Sequence, residues 1–233
     1  MREIPAELRL IFRVLFFRAS KEDFDQLSWR TLLVALPFVW LVGLGRWWDD
    51  PRDIEPYVRM GLGSVLYVFV LSLLLWLVTL PFRHHRTKYF RIAAFVAATS
   101  PPAALYAIPI ERWSFDFASS FNLVALVIVS AWRVALLLRF FKVGLRFKGE
   151  DAFVVGALPV FLIVFFLAFF GLSGRIADIM GGLRENLPTD QMENMVTMIG
   201  MISFCVTPLL LLWYVSLVWR DRIRWVDQDE DLL

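Results

Sequence analysis

Long apolar runs separated by short clusters of charge set the plan of this chain. Runs free of acidic residues cover 29–45, 60–80, 92–110, 117–138, 152–172 and 195–219. At about 1.5 Å per residue, runs of about 20 residues cross a hydrocarbon layer of about 30 Å. The pattern predicts an all-α polytopic membrane helix bundle of six transmembrane helices. Its domains are a cytoplasmic amphipathic segment at 1–28, the six-span unit at 29–219 and a charged cytoplasmic tail at 220–233. The first run is short, with Arg30 at its edge. The third contains Thr99-Ser100-Pro101-Pro102. Two adjacent prolines remove two backbone donors and press on the carbonyls of Ala97 and Ala98, so the helix is expected to break there. In a bilayer the freed carbonyls must be buried against protein or line a wet cavity.

Outside the runs the polar pattern changes character. Arg9 and Arg13 interrupt the N-terminal apolar residues, which excludes a secretory signal. Arg2, Arg9 and Arg13 fall within about 40° on a helical wheel, and Leu8, Ile11, Leu15 and Phe16 occupy other faces. Such a helix either lies on the inner membrane surface or packs on the ends of the bundle. Ser20 followed by Asp23 has the spacing of a capping box. The basic-aromatic loop 139–151 is expected to skim the inner surface, and 173–194 to hold a short amphipathic helix on the outer one.

Composition sharpens this picture. The 233 residues are 59% hydrophobic, too apolar for an ordinary soluble domain. Net charge of +2 says little, but its distribution is informative. Of the 24 Lys and Arg residues, 17 belong to the N-terminal segment, the loops after the second and fourth runs, and the C-terminal tail. Six lie in the intervening loops, and Arg133 sits within a run. The positive-inside rule therefore puts both termini in the cytoplasm, as an even number of spans requires. A bacterial inner membrane is the expected location.

Candidate chemistry is sparse. None of the six runs contains Asp, Glu or His, which argues against carboxylate-coupled transport and acid-base catalysis at depth. No zinc spacing, phosphate-cradling glycine loop or cofactor motif is present, and no catalytic constellation is expected. An interfacial enzyme using Asp49, Asp50, Glu111 or His84 is a minor alternative. Met192, Met195, Met198 and Met201 wind around a helix at steps of three, so they do not form one metal-lining face. Ser100-Pro101 followed by Leu105-Tyr106 and Thr207-Pro208 followed by Trp213-Tyr214 form a faint echo of inverted transporter repeats.

Arg133 is the polar residue most in need of explanation. It lies six residues before Arg139, and Ala97 lies six after Arg91, which places both at one level on neighbouring antiparallel helices. The carbonyls freed by Pro101 and Pro102 are its expected partners, with Ser100, Thr99 and Ser130 nearby; snorkelling to the inner headgroups is the alternative. On the inner face, Arg83, Arg86, Lys88, Arg91, Lys142, Arg146 and Lys148 are candidate contacts for anionic lipid headgroups rather than nucleic acid.

The segment from Lys142 to Gly149, KVGLRFKG, followed by a run with Gly156 and Pro159, resembles the middle of the Yip-domain membrane proteins. That resemblance implies a cytoplasmic N-terminus before a compact bundle, usually of five spans, associated with membrane trafficking or, in bacteria, uncharacterised. A sixth run and a cytoplasmic C-terminus depart from it. Two functions remain: a non-catalytic scaffold or accessory subunit binding lipids and partner membrane proteins or a second copy, and a small transporter or channel passing the broken third run and Arg133.

Overall fold

A computed structural model describes residues 5–45, 60–82, 87–108, 115–171 and 190–230, and these are all helix, turn or short connection. The chain forms α1 (Ala6–Leu15), α2 (Lys21–Gln26), α3 (Trp29–Gly45), α4 (Leu62–Thr79) and α5 (Tyr89–Ala98). A 3-10 segment (Pro101–Ala107), α6 (Phe115–Arg139), a π segment (Phe140–Gly144), α7 (Gly149–Phe169) and α8 (Asp190–Glu230) follow. Among the described residues, four stretches are long and apolar enough to cross a membrane: Leu62–Thr79, Val124–Gly144, Gly149–Phe169 and Thr197–Ile223. α3 is apolar but only 17 residues long.

The short helix α5 is the centre of the bundle. Every residue from Ile92 to Ser100 is buried. Its alanines leave room for α3 and α4 to approach on either side, the way small residues work in membrane helices. The two prolines end it as expected: α5 stops at Ala98, and Pro101 and Pro102 occupy the first two positions of the 3-10 segment, where a missing N–H matters least. The α part is about 15 Å long and the 3-10 part about 14 Å, close to one membrane thickness between them.

Connections are tight where described. Gly61, at φ +71°, starts α4 in the left-handed region. A Cβ on Gly43 would lie 2.7 Å from the Gly61 carbonyl oxygen, so the end of α3 and the start of α4 touch backbone to backbone. α8 runs unbroken for 41 residues, about 60 Å, and packs chiefly on α7.

Several expectations are revised. The residues 139–151 do not skim a surface: Phe140 and Phe141 are fully buried and Phe147 nearly so, because α6 ends in a wider π turn that swings these rings inward. α1 packs against α3 and α5 through Leu10, Ile11, Val14 and Leu15, the bundle-packed option, with Phe12 and Phe16 exposed. α8 continues past the last apolar run as far as Glu230. The proline echo has no structural counterpart: Pro208 sits inside a continuous helix whereas Pro101 opens a 3-10 turn. Residues 1–4, 46–59, 83–86, 109–114, 172–189 and 231–233 lie outside the described residues, and with them Arg2, Asp49, Asp50, Arg83, His84, Arg86, Glu111 and most of the 173–194 loop.

Candidate functional site

The chain gathers its polar machinery at one end of the bundle, where α2, the start of α5, the π segment and the start of α7 meet. Aromatic rings make its floor. Phe95 and Phe140 stack at 4.2 Å between centroids, and Phe24 meets both rings edge-on. Phe141, Phe147, Phe82 and Tyr214 continue the series toward α8. Edge and offset geometry of this kind adds about 0.5–1.5 kcal/mol per pair beyond area burial.

Arg91 crosses that floor. Its Nε donates to the Phe24 carbonyl at 3.0 Å and its Nη2 to the Gly144 carbonyl at 3.2 Å, and it pairs with Asp25. Burial lowers its pKa, and the Asp25 carboxylate opposes that shift. The Arg91 side chain is 18% exposed and already engaged, so among the candidate lipid contacts it is an internal anchor.

The N-terminal helices are fastened to the same end. Ser20 and Asp23 form the expected capping box, and Arg13 donates to Asp23 at 2.9 Å. Burial raises the Asp23 pKa, but the Ser20 N–H and the Arg13 guanidinium outweigh it and hold the carboxyl below its ordinary value. α1 ends in a Schellman arrangement: the amides of Phe17 and Arg18 donate to the carbonyls of Val14 and Arg13. Phe17 fills the left-handed position at φ 59°, where glycine is usual, and stacks on Trp132. Trp132 also donates to the Leu15 carbonyl, and Arg139 to that of Ala19.

The intramembrane candidates do not converge. Thr99 and Ser100 are buried, and both hydroxyls donate to the Val96 carbonyl, at 2.8 and 3.4 Å. The Ala97 carbonyl accepts from the Ser100 amide. Pro101 and Pro102 are half-buried and Ser130 is exposed. The Arg133 guanidinium lies over the Tyr67 ring, 5.6 Å from its centroid, rather than on the carbonyls of Ala97 and Ala98. Tyr67 stands about 18 Å along α4 from Thr79. A local turn has engaged the Ala97 carbonyl, and a π face has taken the cation.

The remaining cations are at the surface of this end. Lys88, Lys142, Arg146 and Lys148 are exposed. A cavity of about 670 Å³ between the start of α7 and the later part of α8 mixes Arg146, Lys148 and Arg220 with Glu150, Asp151 and Asp221. A second, of about 600 Å³, lies between the end of α6 and the start of α7. It holds Arg139, which the sequence marked only as a loop charge; its proximity to α1 and α7 depends on long-range packing. Among the described residues no three His, Cys, Asp or Glu side chains gather as a metal site.

No curated protein and no solved structure matches the chain. The sequence profile of the Yip1 domain matches residues 10–170, well over half of its length. The match takes in α1 from Leu10 through α7, and so the five apolar elements α3, α4, α5 with its 3-10 extension, α6 and α7, whereas α8 lies beyond it. The helices long enough to cross a membrane and this match agree: the chain is an integral membrane protein of the Yip1-domain family.

Proposed function

We infer that the protein is a non-catalytic membrane scaffold or accessory subunit. It has six spans with both termini in the cytoplasm of a bacterial cell, and its cationic end binds anionic lipid while its apolar helix faces receive partner membrane proteins. One observation carries this reading. Of the hydroxyls buried along the spans, those of Ser72, Thr79, Thr99, Ser100, Ser203 and Thr207 donate to backbone carbonyls of the bundle, and that of Thr31 accepts from the Ser28 amide. The buried polar side-chain atoms without a partner among the described residues are Thr87 Oγ1, Arg139 Nε and Asp221 Oδ2, all at the cationic end. The buried hydroxyls of the spans are thus spent on holding the helices, and the exposed cations Lys88, Lys142, Arg146 and Lys148 offer an anionic headgroup its partners at one end. The hydroxyls engaged at the broken element weigh against a polar pathway there.

Electron paramagnetic resonance of spin-labelled lipids around the reconstituted protein tests the lipid part. Phosphatidylglycerol should be immobilised at the protein boundary in preference to phosphatidylcholine, with the preference falling as salt rises. Equal immobilisation of the two contradicts it.

A further inference from the structure

We propose that the cavity between the end of α6 and the start of α7 is a discrete binding site for the phosphate group of an anionic phospholipid. The proposal rests on the lipid-binding reading above and makes it specific to one place. Arg139 and Lys142 line the cavity with Phe17, Val143, Gly149 and Phe153. No acidic side chain is among its lining residues, because Glu150 and Asp151 face the neighbouring cavity, where Asp151 lies 3.6 Å from Arg220. Neither Arg139 nor Lys142 has a carboxylate partner among the described residues. One Arg139 nitrogen is held by the Ala19 carbonyl at 3.0 Å, which fixes the guanidinium, and its Nε is buried without an acceptor. A fixed guanidinium beside a free ammonium is a phosphate-binding pair, the first supplying directed donors and the second a mobile point charge.

A lipid rather than a soluble anion fits the remaining walls. Leu138, Val143 and Phe153 are apolar, and Phe153, one turn into α7, is 49% exposed. Cationic and apolar side chains therefore line one cavity together, as a headgroup and its acyl chains require. Phe17 closes the other wall in its left-handed conformation, held there by Trp132.

Native mass spectrometry of the full chain released from nanodiscs of mixed phosphatidylglycerol and phosphatidylcholine tests the site. Wild-type protein should retain one phosphatidylglycerol more tightly than the rest. Lys142→Gln should weaken that retention about five- to tenfold, whereas Lys88→Gln, which removes an exposed charge of the same end, should change it less than twofold. Arg139→Gln should weaken it further, but this variant also loses the Ala19 bond, so Lys142→Gln is the decisive substitution. Equal effects of Lys142→Gln and Lys88→Gln would overturn the discrete site and leave the general lipid preference standing. Absence of any phosphatidylglycerol preference in the wild type would remove both readings. Full competition by millimolar inorganic phosphate would assign the cavity to a free anion and overturn the lipid.

Discussion

The Nε of Arg91 at the start of α5 donates to the carbonyl of Phe24 at the end of α2, 67 residues earlier, at 3.0 Å. Through the same guanidinium the Gly144 carbonyl of the π segment is also held. One cation thus ties the N-terminal helices and the end of α6 to the buried central helix.

Removing Arg91 leaves two carbonyls without their donor in a poorly hydrated place. Arg91→Met should destabilise the protein by about 2–3 kcal/mol, lowering its melting temperature in detergent. Arg91→Lys should recover less than half of the loss, because an ammonium cannot reproduce the guanidinium fork. Lipid preference per folded molecule should not change, since this arginine is turned inward.

The aromatic floor makes a contrast between two phenylalanines. Phe140→Ala opens a cavity under Phe24 and Phe95 and should cost about 3–5 kcal/mol. Phe169→Ala, at a position 62% exposed on α7, should cost under about 1 kcal/mol. Denaturant titration in mixed micelles compares them.

Asp23 gives the fold a dependence on acid. Its folded-state pKa is below the ordinary value of 3.8, so its contribution is fully present above that value and is lost as pH falls through the folded pKa. Protease cleavage between α1 and α3 should therefore rise below about pH 4 in the wild type. Asp23→Asn should be cleaved more readily at neutral pH, with the loss of a cap costing about 1 kcal/mol, and should show no further step in that acid window.

How much of this was legible in the sequence depended on the range of the interaction. The break after Ala98 and the Ser20–Asp23 capping box were readable because proline and capping chemistry act within four residues. The partner of Arg133 was not, since Tyr67 comes from α4 and only the packed bundle brings its ring beneath the guanidinium. The burial of Phe140, Phe141 and Phe147 departs from the surface loop expected over 139–151, because a π turn shifts the helical period at its end and no periodicity of 3.6 anticipates that. Arg139, the last residue of α6, is a loop charge in the sequence pattern because its contact comes from far along the chain. Its role at the cavity follows from the Ala19 carbonyl, 120 residues away.

Thermal unfolding of the protein in nanodiscs of pure phosphatidylcholine and of phosphatidylcholine with phosphatidylglycerol, each at low and high salt, tests the central claim most directly. Anionic lipid should raise the melting temperature at low salt, and most of that gain should disappear near 1 M salt, where the Debye length is about 3 Å. A melting temperature that is the same in both lipids at low salt would contradict a lipid-binding cationic end.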